Sequence, residues 1–269
     1  MRWVFIGVLR TNVVGTVFIM NQGSKCTVIN YQDSNHVTVK FDSGYITTTK
    51  WYRLVAGTVK DRMAYQINYL NEILDINPYD GQGEETKAYR EFHNMHIRCF
   101  DEQYKIKRPT YKDVSCCEEW NYFSNYLYWR NQQSNLKYLE DIGGRFELDK
   151  DILKKGNRIY SPENCCLVPA IVNQVFNKHS RHRGELPIGV TWASNRAYVI
   201  AKWNDPIENK SKWSTTYPIT PEGILTAFNE YKIHKEEIIK KVAQLEFNKK
   251  TITEECYEAM MQYEVEILD

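Results

Sequence analysis

The chain lacks any apolar run long enough to cross a membrane. Its most apolar stretches, Trp3 to Leu9 and Val13 to Met20, are strand-length and broken by polar residues. The first residues also lack the ordered charged, apolar and small-residue regions of a secretory signal. A soluble cytoplasmic protein is therefore expected. No two cysteines stand at Cys-x-x-Cys spacing. The seven present (Cys26, Cys99, Cys116, Cys117, Cys165, Cys166 and Cys256) are odd in number and scattered, which argues against a secreted disulfide scaffold and for free thiols. There is no internal repeat and no low-complexity tract. Nor is there an excess of one charge: 35 Lys and Arg face 34 Asp and Glu. Strong sequence-independent binding to nucleic acid rests on a basic footprint, because neutralising phosphates releases counterions. Only local patches can supply one here.

Charge is present but uneven. Residues 1–63 carry eight Lys and Arg against three acids, and residues 64–183 carry 17 of each. Residues 184–269 carry ten against 14, with six acids and no base after Lys250. Aromatics are plentiful, with 19 Tyr, 10 Phe and 7 Trp, and such residues serve cores and interfaces alike.

Between residues 14 and 60, Val14 to Met20, Lys25 to Tyr31, His36 to Phe41 and Tyr45 to Lys50 read as strands. They are separated by the turn clusters Asn21-Gln22-Gly23, Asp33-Ser34-Asn35 and Asp42-Ser43-Gly44. Short strands at this spacing predict a small, strongly bent β-barrel over residues 1–63. Met63 to Leu74 reads as a short helix, and Asp75 to Glu85 as a loop. A helical pattern starts at Thr86, with Tyr89, Phe92, Met95 and Cys99 on one face, and Pro109 stops it. Cys117 to Arg130 predicts another helix whose stripe of Trp120, Phe123, Tyr126 and Leu127 is a core face.

The next segment outlines a finger of two strands and a helix. Leu148-Asp149-Lys150-Asp151 makes a short strand, Gly156-Asn157 a turn into a second strand, and Ser161-Pro162-Glu163-Asn164-Cys165 a helix entry, with helix continuing over Pro169 to Phe176. Asn177 to Arg183 is the most basic short run, either a solvated linker or a phosphate-contacting arm built on Lys178, Arg181 and Arg183. Ile188 to Trp192, Ala197 to Trp203 and Lys212 to Pro218 read as three strands. A long amphipathic helix follows from Pro221 to about Phe247, opened by Thr220 as N-cap, Pro221 at N1 and Glu222 in the first turn. Thr253 to Tyr263 makes a last short helix. The fold class expected is α+β, in three parts: a small barrel over 1–63, a helical and ββα part over 64–183, and a three-stranded sheet on a helix over 184–269.

These motifs resemble a bacteriophage family described as HNH-like with an Apetala-type DNA-binding domain. Its carriers begin with Thr86-Lys87-Ala88-Tyr89, Met95, Arg98-Cys99, Pro109-Thr110-Tyr111, Cys117, Glu119-Trp120 and Phe123. They continue through Leu148 to Asp151, Tyr160 to Cys165 and Val168-Pro169. Leu186 to Val190, Thr220-Pro221-Glu222 and Tyr257 to Met260 complete the series. The match spans roughly residues 86–269. It implies a ββα core and a sheet that lies in the DNA major groove, with outward Trp192, Arg196, Tyr198, Lys202, Trp203, Lys212 and Trp213 reading bases or phosphates. It also implies a viral protein acting in the host cytoplasm, with double-stranded DNA as ligand and homo-oligomerisation open.

The finger departs from a working nuclease at one position. A His normally ends its first strand and deprotonates the attacking water; here Lys150 stands there, and lysine is protonated at neutral pH unless strongly desolvated. A non-catalytic protein without a cofactor is expected. Were the finger active, Asp149 or Asp151 would share a divalent metal with the following helix, and Asn164 would hold the loop. A zinc set of Cys99, Cys117 and Cys165, completed by His93 or His96, is the other metal reading; buried thiols are the alternative. Three functions remain open: a DNA-binding protein, an effector that grips a host antiphage-defence protein, and a metal-dependent endonuclease.

Overall fold

A computed structural model describes residues 13–21, 23–63, 70–176, 185–194 and 196–267. The chain divides into two compact units, residues 1–128 and 129–269.

The first unit opens with an antiparallel meander of Val17–Ile19, Lys25–Asp33, His36–Phe41 and Ile46–Thr49, paired in that order. Alternation places Cys26, Val28, Val37, Val39 and Phe41 in its core. The Asp33 carboxylate shapes the tight turn between the second and third strands by accepting the Asn35 and His36 amides. Among the described residues this sheet is open, which corrects the expected barrel. The outer strands are only three and four residues long, too short to close a ring by pairing with each other. The helix Trp51–Val55 follows at once, and the Trp51 ring lies edge-on to Phe18 and Tyr31. Trp3 to Leu9 lies outside the described residues, as does half of the helix expected over Met63 to Leu74. The described end of that segment is not helical, and Ile73 bridges to Tyr122.

The helix Lys87–Phe100 starts where expected, with the Thr86 hydroxyl accepting the Tyr89 amide. Asp101 ends it and caps Glu102–Lys107 by accepting the Tyr104 amide. Phe92 sits at the centre of an aromatic core with Tyr89, Phe123 and Tyr126. Trp120, Phe123 and Tyr126 are fully buried, so the predicted stripe is core.

In the second unit, Phe146–Asp149 pairs antiparallel with Cys166–Pro169, and the helix Ala170–Phe176 follows directly. The strand Tyr198–Asp205 is flanked on one edge by Val190–Trp192. On the other edge run Lys210–Trp213 and Tyr217–Pro218, which read as one strand in the sequence. The break falls at Ser214, whose hydroxyl takes the Ala201 amide bond that a backbone carbonyl would accept in a continuous ladder. The 28-residue helix Pro221–Asn248 covers one face of this sheet, and Glu254–Met261 packs on the helix. Thr220 and Thr253 cap the two helices through their hydroxyls. A single core joins Ile152, Cys166, Val168, Val172 and Val175 of the finger to Val190, Val199, Ala201 and Trp203 of the sheet and Phe228, Tyr231 and Val242 of the long helix. The finger and the sheet therefore form one packing unit.

Candidate nucleic-acid interface

Strand alternation sorts the sheet residues into two faces. Val199, Ala201, Trp203 and Asp205 are buried towards the long helix, whereas Tyr198, Lys202 and Asn204 are exposed and Ile200 is half-buried. Register extends the open face to its neighbours: Trp213 stands opposite Lys202, Ser211 opposite Asn204, and Thr191 opposite Ile200. Trp213 is 65% exposed, more than Trp192 or Tyr198 in the same sheet. The strand residues on this face include one cation and no carboxylate. Arg196 adds a second cation from the adjoining turn, where its amide donates to the Ala193 carbonyl and its φ is +54°.

Not every residue expected on this face lies there. Trp203 points the other way and stacks on the His234 ring of the long helix, with centroids 4.1 Å apart. Lys212 shares that parity, and its ammonium bonds Glu208 at 2.8 Å and Asp205 at 3.1 Å, which raise its pKa. Trp192 pairs with Val199 at the end of its strand, so its half-exposed ring lies at the sheet margin. The structure thus brings together Tyr198, Lys202 and Trp213, with Arg196 beside them, and separates Trp203 and Lys212 from them. Alternation alone could have made this division, because Lys202 and Trp203 are adjacent, as are Lys212 and Trp213. It would also have added Asn204 and Ser211, whose side chains bond each other at 2.7 Å. Lys178, Arg181 and Arg183 lie outside the described residues, with His179 and His182.

In the finger, the polar residues are occupied by the loop itself. Asp149 accepts the amides of Asp151 and Ile152, at 2.8 and 2.9 Å. Lys150 is buried, with its ammonium 3.3 Å from the Asp151 carboxylate and over the Tyr160 ring. Asn164 donates to the Ser161 hydroxyl and holds only the turn between them. The residue that closes the loop is Asn157, whose side-chain amide donates to the carbonyls of Lys150 and Ile159, both at 2.7 Å. On the following helix, Asn173 bonds Glu147 at 2.6 Å.

Among the described residues no three of His, Cys, Asp and Glu form a group that could hold a metal. His96 is fully buried, and its two ring nitrogens face the carbonyls of Leu70 and Trp120, at 2.6 and 2.8 Å. His93 bonds the buried Glu72 carboxylate at 2.5 Å, which raises its pKa. Cys99 hydrogen-bonds Cys116; this pushes the Cys99 thiol up and holds that of Cys116 below its usual range. Cys117 is pushed up to about 11, mainly by burial. Cys165 is buried and forms no disulfide. A zinc set of Cys99, Cys117 and Cys165 would have to break these contacts.

No protein-family model, curated protein or solved structure matches this chain.

Proposed function

We propose that the protein is a non-catalytic DNA-binding protein that lays the open sheet face in the major groove, with the bacteriophage, Apetala-type role that the motifs imply. The observation that carries this reading is the exposed face of Tyr198, Lys202 and Trp213. It bears a cation, two aromatic rings and amide and hydroxyl groups without a carboxylate, on a sheet whose other side is filled by a helix. Phosphates position such a surface, and side chains such as Asn204 read base edges. The finger supports the non-catalytic part, since its Asp149, Asn157 and Asn164 serve the loop backbone and turn.

The test is duplex binding as a function of salt. A linear fall of log affinity with log salt is expected, and Lys202→Ala should lower that slope by about one. Absence of duplex affinity at low salt would sink the reading.

The second reading is a protein-binding effector aimed at a host defence component. It is favoured by the exposure of Trp213 and Tyr198, because partner-binding surfaces concentrate energy in Trp, Tyr and Arg. Capture of a stoichiometric host protein that survives nuclease treatment would select it.

A further inference from the structure

The first unit holds a cleft that the sheet-face reading does not use. It has a volume of about 360 Å³ and lies between the edge strand Ile46–Thr49, the short helix Trp51–Val55 and the segment that follows it. Its polar wall is Thr47, Thr48 and Thr49 with Arg53, Lys60 and Arg62, and among the described residues no Asp or Glu lines it. Tyr45 and Val59, both buried, form the apolar part. The Thr48 hydroxyl is paired with that of Thr38 at 3.1 Å, which leaves three cations with the hydroxyls of Thr47 and Thr49 around the hollow, a donor set without a matching acceptor.

The surroundings keep the cations available. All three are exposed, and among the described residues none is in an ion pair. The nearest carboxylate in sequence, Asp61, is buried and accepts from the Ser43 hydroxyl at 2.8 Å and the Met63 amide at 3.1 Å. Arg53 is fixed by its backbone, whose carbonyl accepts from both the Thr58 amide and its hydroxyl. Arg62 is steered by the Tyr79 ring, 5.3 Å from its guanidinium carbon, and Tyr79 in turn meets Tyr45 edge-on. Thr47 is held from the other side by the loop at Gly83, where a Cβ would come within 2.9 Å of its hydroxyl. Guanidinium forks, an ammonium and hydroxyls suit tetrahedral oxyanions, and the volume is that of a small-ligand site.

We infer that this cleft binds phosphate groups carrying two or more negative charges, with Arg53, Lys60 and Arg62 supplying the charge and Thr47 and Thr49, which share one face of their strand, the hydroxyl donors. The phosphates can belong to a nucleotide-like small molecule or to a nucleic-acid strand, and the chemistry of recognition is the same. The inference is independent of the sheet-face reading, which concerns the other unit.

Inorganic tripolyphosphate, titrated calorimetrically into the full chain at low salt, is the probe. Saturable one-site binding is expected, weakened about tenfold by Lys60→Gln and by Arg53→Gln, since hydrogen bonds to charged groups are the strong ones. Trp213→Ala should leave it unchanged. Both cleft variants replace exposed side chains, and unchanged melting temperatures show that they fold. Displacement of tripolyphosphate by oligothymidylate with affinity that grows with length assigns the phosphates to a strand. Displacement by nucleoside triphosphate without such growth assigns them to a small molecule. No saturable heat, or equal affinity in both cleft variants and the parent, overturns the inference.

Discussion

At the end of the strand Phe146–Asp149, burial and the neighbouring Asp151 charge push the Asp149 carboxyl up to about 6, although two amides donate to it. A carboxyl whose pKa rises on folding binds more protons in the native state than in the unfolded one. Stability is therefore lost as pH climbs from about 4 to about 6, by an amount on the order of 2–3 kcal/mol. Asn in its place keeps the acceptor oxygen and drops the charge. Asp149→Asn should flatten this part of the stability-versus-pH curve, as urea titrations at pH 4, 5, 6 and 7 would report; an unchanged slope would show that another group causes it. Gly189, by contrast, tolerates no side chain. Its φ is +75°, and a Cβ there would fall 2.0 Å from the ring of the buried Tyr231. Gly189→Ala should cost about 2–5 kcal/mol, from left-handed strain together with forced repacking, and should appear as a large drop in melting temperature.

The sheet offers a sharper contrast, because two of its three tryptophans do opposite work. Trp203 is wedged against His234 in the core, and Trp213 is open to solvent. Trp203→Ala should cost about 3–5 kcal/mol of stability. Trp213→Ala should leave melting nearly untouched and weaken ligand binding about tenfold or more, as loss of an exposed aromatic anchor does. Equal melting losses in the two would remove the distinction between the faces. Elements of this kind were legible in the sequence where capping and periodicity agree. Thr86, Thr220 and Thr253 mark helix starts, and Phe228, Tyr231, Ile238 and Val242 mark a buried face. The single third strand expected over Lys212 to Pro218 was not readable as two, since the interruption depends on the Ser214 hydroxyl meeting the Ala201 amide, a bond between segments. The part of Asn157 in closing the loop was hidden for the same reason, because its partners lie seven residues back and two ahead. The phosphate cleft left only a faint trace, the basic excess of residues 1–63, since Thr47 and Lys60 meet through the turn between them.

On the scale of the whole chain, composition and packing draw different lines. Charge changes sign after residue 183, yet the buried core runs without a break from Ile152 in the finger through Val199 in the sheet to Val265 near the end. Asn135 adds a polar tie inside the same unit, donating to the carbonyls of Leu167 and Thr251, both at 2.8 Å. A sheet covered on one face by a single helix buries little apolar area by itself, and domains of this size are marginal. Here Val168, Val172 and Val175 extend the core of the sheet and its helix. A fragment of residues 184–269 should therefore lack a cooperative thermal transition, whereas residues 129–269 should melt in one step, with far-UV and near-UV circular dichroism changing together. A cooperative melt of 184–269 alone would mean that the finger only leans on the sheet. Its absence would mean that the finger is the base on which the open sheet face is built.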